Sequence, residues 1–211
     1  MFNSPQQKEE VKERLQQIHR VFQKIREYVD IEIFSFDQLN KYQLGYSVDA
    51  EGNSLITGEE GSWQRNWIVI ACDTLCGDPI IVDIKEDGYP VSTLIHGLGS
   101  WEAGSFLSNS MSSFTNSLKE VTYLLDKKEK QLNGKKDFES MLEKIVVDNN
   151  GYADYDTWES LLNPLFGVIV DDENALKDKV RNMKEEGKKI KEISSYLNIS
   201  LKDVYHYLKQ S

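Results

Sequence analysis

Three apolar segments follow one another so closely in the middle of this chain that few connections between them are possible. Asn66–Cys72 (NWIVIAC), Pro79–Ile84 (PIIVDI) and Tyr89–Ile95 (YPVSTLI) are rich in β-branched residues, which suit a pleated surface. The stretches between them, Asp73 to Asp78 and Lys85 to Gly88, carry turn chemistry. A parallel crossover needs about a dozen residues, so connections this short predict antiparallel neighbours. Trp67–Ala71 and Ile80–Val82 are nearly continuous apolar runs, which predicts central strands covered on both faces.

Helical patterns flank this region. Ser4-Pro5 makes an N-cap and N1 pair, with Glu9 and Glu10 near the positive end of the helix dipole. Val11, Leu15, Ile18, Phe22, Ile25 and Val29 follow at alternating spacings of four and three, a single narrow seam. Such a seam can lie along a sheet edge, against another protein's helix, or on its own domain. Ile31, Ile33, Phe34 and Phe36 predict a further strand, followed by a short helical segment over Asp37–Tyr42. Ser47–Gly61, rich in Gly and acids, predicts an exposed loop or loose hairpin. After a loop from Gly97 to Gly104, a helix is predicted from about Ser105, with Phe114, Leu118, Val121 and Leu125 on one face. A second helix from Asp137 carries Phe138, Met141, Leu142, Ile145 and Val146. Asp148–Asp172, with Trp158, Leu161, Leu162, Leu165 and Phe166, lacks a clean period and reads as a docked arm or linker. The expected fold is α+β, an antiparallel β-meander with flanking helices plus a small helical C-terminal appendage. The expected units are residues 1–147, a docked arm or linker at 148–176, and a tail at 177–211.

Charge divides the chain in the same place. The 211 residues carry a net charge of -10. From Lys177 to Ser211 there are nine basic and five acidic residues, so the tail is +4 and the remainder -14. An acidic body repels nucleic acid and anionic lipid and steers basic partners towards itself. The N-terminal MFNSPQQKEE has no basic stretch leading into an apolar one, and the longest apolar runs are too short to span a bilayer. A cytoplasmic location is therefore expected, with Cys72 and Cys76 as reduced thiols.

The stretch from Trp67 to Phe114 resembles the SUKH superfamily, the Smi/Knr-like proteins that include many bacterial toxin-immunity proteins. The resemblance is carried by N-W-I-V-I-A (Asn66–Ala71), G-D-P-I-I-V-D (Gly77–Asp83), Pro90-Val91, H-G-L-G-S-W (His96–Trp101) and S-N-S-M-S-S-F (Ser108–Phe114). Its motif residues are Trp67, Gly77, Asp78, Pro79, Asp83, His96, Gly97 and Trp101. The front of the chain departs from the family, with a long heptad-like helix where a short helix and an L-P-x-x-Y-type segment are usual. The resemblance implies an α+β domain without catalytic machinery that binds a protein, often a toxin domain. With an acidic body, the implied partner is a basic, nuclease-type toxin. The candidate contacts are Asp73, Asp78, Asp83, Glu86, Asp87 and Glu102, around the strand ends. Read as residues alone, Trp67 and Trp101 are core or half-core aromatics, and Asp78 before Pro79 caps a turn. Gly97 and Gly99 supply positive φ between the last strand and the next helix.

Other chemistry finds little footing. Cys72, His96 and Asp83 lie near strand ends and suggest a nucleophile, base and orienter, but nothing in the sequence activates the thiol. His19, His96 and His206 are scattered, so no metal site is expected. If Gly151 takes the sixth place of a calcium loop, Val146 falls at position one and Thr157 at twelve. If Gly52 takes it, Ser47 and Gly58 fall there, so both loops lack the ligands that matter most. Glu102 stands where a third glycine of a dinucleotide fingerprint would be, and no Lys-Ser/Thr closes a P-loop, so no cofactor is expected.

The tail offers a rival function. Ile190–Ser194, Leu197–Ser200, Val204 and Leu208 follow the pattern of a helix-turn-helix. Ser194 is small enough for two helices to approach, Asn198 tolerates the left-handed turn, and Ser200 is an N-cap. Ser200, Leu201, Lys202, Tyr205 and His206 would then face DNA. Phosphate contacts would come from Lys184, Lys188, Lys189 and Lys191. The same pattern also suits a helical hairpin used for packing or dimerisation.

Overall fold

The short turns do enforce antiparallel pairing. The computed structural model describes residues 2–95, 100–101, 103–128 and 134–209. Strands β1 (Ile31–Ile33), β2 (Trp67–Asp73), β3 (Pro79–Asp83), β4 (Val91–Leu94) and β5 (Ala103–Ser108) form one sheet. Their spatial order is their chain order, and every neighbouring pair is antiparallel. Ile68–Ala71 of β2 and Ile80–Val82 of β3 are buried without a break, so both faces of these central strands are covered.

Strand β5 occupies the stretch where a helix was expected from Ser105. Gly104 explains the close pairing: a Cβ there would lie 2.6 Å from the Thr93 carbonyl oxygen of β4. Phe106 is exposed and Leu107 buried, the alternation of a strand. Helix α3 (Met111–Lys128) begins only after Ser110, whose Oγ accepts the Ser113 N–H at 3.1 Å as an N-cap does. The Ser-rich segment is thus a strand end, a cap and a first helical turn. Because β5 intervenes, the loop before it does not lead straight into a helix. Gly97, Gly99 and His96 of that loop, like Glu102, lie outside the described residues.

Helix α1 (Pro5–Phe22) starts where Ser4-Pro5 predicts, with Ser4 Oγ accepting the Gln7 N–H. The helix ends at Phe22, but the seam continues through Ile25 and Val29, and all six seam residues are buried in the main core. The seam therefore packs on its own domain, with α1 lying along α3. Glu10 fastens this helix to the sheet: its carboxylate accepts from Arg14 at 2.7 Å and from the Tyr89 hydroxyl at 2.8 Å.

β1 is too short to pair the whole of β2, and a side chain completes the ladder. After the 3-10 turn Phe36–Gln38 and helix α2 (Leu39–Tyr42) comes Gln43, only 2% exposed. Its amide donates to the Val69 carbonyl at 3.0 Å and accepts the Val69 N–H at 3.1 Å, as a neighbouring strand would. Its other amide proton goes to Leu39 O at 3.0 Å. On the other side of β2, the β2–β3 ladder shifts register between Val69 and Ala71.

The remaining helices are α4 (Gly134–Asp148), α5 (Tyr155–Leu161), α6 (Asn163–Glu185), α7 (Ile190–Leu197) and α8 (Leu201–Lys209). The stretch expected as an irregular docked arm or linker is docked but mostly helix, and Pro164 in the first turn of α6 was the missed start signal. α5 closes the β5 edge: Asp154 N donates to Phe106 O, and Trp158 Nε1 donates to Leu107 O at 2.9 Å. Leu161 O accepts the Asp30 N–H at the entrance to β1, so α5 reaches both edge strands. The 23 residues of α6 extend for about 35 Å. Its first half places Leu165 and Ile169 in the main core, while Val180 joins Ile193, Val204 and Tyr207 in a separate small core. The expected boundary at 176/177 therefore falls inside one continuous helix, although the tail does have its own core.

Two outcomes follow from these contacts. Gln43→Leu strands the Val69 N–H and C=O in the core and is expected to destabilise the protein by about 2–4 kcal/mol in urea unfolding. The bonds from Arg14 and Tyr89 hold the Glu10 carboxyl below its ordinary value. A lowered folded value means stability that is present above the unfolded pKa and lost as pH falls through the folded one. Glu10→Gln should therefore flatten the fall in stability below about pH 4.5, read from melting temperature against pH.

Candidate functional site

An antiparallel meander sends successive turns to opposite ends of the sheet, and this divides the predicted contact set. Asp73 and Asp78 bracket the β2–β3 turn, whereas Asp83, Glu86 and Asp87 stand at the β3–β4 turn. The length of β3, about 14 Å, separates the two groups. The register pairs Cys72 with Pro79 and Trp67 with Asp83, so Cys72 and Asp83 lie at opposite ends and form no catalytic pair. Among the described residues no group of three or more His, Cys, Asp or Glu is placed to hold a metal ion.

Both turns are built by their carboxylates. Asp73 accepts the N–H groups of Leu75 at 2.7 Å and Cys76 at 3.4 Å, and its own N–H donates to Asp78 O. Asp83 accepts from Asn66 Nδ2 at 2.6 Å and from the Lys85 N–H at 2.9 Å.

At the β2–β3 end, tertiary structure adds acids that sequence reasoning missed. The register sets Ile31 against Asp73 and Glu32 against Cys72, and Asp30 is held there by Thr74. Burial, and then the charge of Asp73, raise the Asp30 carboxyl above its ordinary value. Burial also raises the Cys72 thiol, with Glu32 and Asp73 adding to the effect. Cys76 is pushed up to about 11, chiefly by burial. Both shifts disfavour the thiolate, which is the nucleophilic form. Nothing in the local sequence signals this cluster, because it depends on which strand pairs with β2.

An aromatic group lies between these ends. Trp67 and Trp101 are half-buried and gather around Trp63, which is 1% exposed, with ring centroids 5.7 and 5.2 Å from it. Tyr46 completes the group, 5.3 Å from Trp63 and 5.4 Å from Trp101. Trp63 follows a Gly- and acid-rich loop, and that setting hid its place in the core.

The tail follows its predicted geometry closely. Asn198 adopts φ 53°, ψ 42°, the left-handed conformation that ends α7. Ser200 and Asp203 form a reciprocal capping box at the start of α8: the Asp203 N–H donates to Ser200 Oγ at 3.1 Å and the Ser200 N–H to the Asp203 carboxylate at 3.3 Å, and Ser200 Oγ also donates to that carboxylate at 2.6 Å. Ser194 Oγ donates to Ile199 O at 2.6 Å, holding the two helices close at a small residue. Ser200, Leu201, Lys202, Tyr205 and His206 are exposed on α8, and Lys188, Lys189 and Lys191 are exposed at the start of α7. Val204 and Tyr207 point into the small core.

Ser200→Ala removes one partner of the box and is expected to destabilise the tail by about 1 kcal/mol. Hydrogen exchange should then quicken in α7 and α8 and stay unchanged in β2 and β3.

The chain matches no protein-family model, no curated protein and no solved structure.

Proposed function

We propose that this chain is a non-enzymatic protein-binding module of the SUKH kind, whose acidic body docks onto a basic protein of the nuclease-toxin type and neutralises it. The observation that carries this reading is the gathering of Asp30, Glu32 and Asp73 at one end of the sheet. None of the three pairs with a basic side chain among the described residues. Burial and like charge make the ionised form of Asp30 costly there, and a cationic partner would relieve that cost. Charge complementarity of this sort speeds encounter and selects partners more than it adds raw affinity.

The test is a titration of the full chain with a basic toxin domain encoded beside its gene. Asp30→Asn with Glu32→Gln, which spares the turn-capping Asp73, should slow association by about tenfold at low salt. No complex with any such neighbour, or a complex whose association rate ignores both substitutions and salt, overturns the reading.

A second reading concerns the tail alone: that it binds DNA through α8. The left-handed Asn198 turn, the capped start of α8 and its exposed face favour this reading. Deleting residues 177–211 should then abolish any salt-dependent DNA binding by the chain. A full-length protein that ignores duplex DNA at low salt sinks this second idea.

A further inference from the structure

We propose that the cleft between the start of α4 and helix α8 holds the phosphate backbone of duplex DNA and completes the footprint of the tail. This rests on the second reading above and extends it to residues some seventy positions away in the chain. On α8 alone that footprint is thin, because its exposed face carries only Lys202 and Lys209, with Asp203 close by. The tertiary structure brings Lys135 and Lys136, both exposed in the first turn of α4, to the opposite wall. The cleft encloses about 560 Å³.

Its charge is one-sided in effect. Four lysines and His206 line it against two carboxylates that are already engaged, and of the lysines Lys135 has a carboxylate neighbour of its own, Glu139 at 3.6 Å along α4. Glu173 lies 3.0 Å from Lys177 along α6, and Asp203 is held by Ser200 in the capping box. An acidic chain that gathers lysines around one cleft has there a local attraction for an anion that its net charge would not suggest. The positive end of the α4 dipole adds to it. The exposed Tyr205 and His206 line the same cleft from α8, so a duplex lying on α8 passes Lys135 and Lys136 at its backbone.

The two lysines follow a helix start that packs against α6. Gly134, the first residue of α4, is buried at φ +34° against Glu173, and a Cβ there would collide with that carboxylate. The close approach sets the start of α4 on α6 and beside α8.

The experiment measures binding of the full chain to a fluorescent random-sequence duplex between about 50 and 200 mM salt, a range in which counterion release dominates. Lys135→Ala with Lys136→Ala should weaken binding about tenfold at the low end and lower the salt slope by up to about 1.8, two phosphate contacts' worth. Lys8→Ala, on α1, should change neither. Circular dichroism confirms that each variant is folded. If the full chain shows no salt-dependent binding, the tail reading fails and the cleft fails with it. If binding is lost in Lys188→Ala/Lys189→Ala/Lys191→Ala but unchanged in the α4 double variant, the tail binds DNA and the cleft proposal is overturned. Equal competition by polyglutamate of matched charge overturns it as well, since the cleft would then take any polyanion.

Discussion

Neighbouring side chains in a strand point to opposite faces, so the buried runs Ile68–Ala71 and Ile80–Val82 need cover on two sides at once. The cover comes from scattered parts of the chain: the seam of α1, helix α3, the Gln43 turn after α2, and the aromatic group around Trp63. At about 25 cal/mol per Å² of apolar surface, burial of this kind is the dominant favourable term, and losing any one layer would leave strands no other element could shield. The long helices exist where they do because those runs must be enclosed.

Polar side chains then hold the layers in register. Gln43 stands in for a strand along β2, Trp158 hangs α5 from β5, and buried Asn149 joins three segments. Its amide donates to Ile145 O and Ser117 Oγ and accepts the Asn109 N–H. Each is a buried group whose partners are fully specified, and such groups are costly to break and hard to satisfy in any other arrangement. Strand pairing and the β2–β3 turn bring Asp30, Glu32 and Asp73 to the same end of the sheet.

One helix links the two halves of opposite charge. α6 belongs to both cores, so the tail extends from the body as a helical continuation. This is why Lys135 and Lys136 of the acidic body reach the basic face of α8. A flexible linker at 148–176 would have left them apart.

By itself the sequence determined the local events. Unbroken apolar runs with short turns dictate an antiparallel meander, Ser4-Pro5 starts the first helix, and Asn198 with Ser200 shape the tail turn. Each of these is a short-range preference of the backbone, complete within a few residues. β5 and the helices over 155–185 were less legible, because a Gly- and Ser-rich strand and a Pro-started helix carry weak periodicity. The candidate surfaces were decided only by tertiary structure. Which carboxylates meet depends on the strand beside β2, Trp63 is buried only because distant rings close around it, and the α4 lysines face α8 only because α6 is continuous. Charge acts through space over several ångströms, and distance along the chain says nothing about it until the chain has folded.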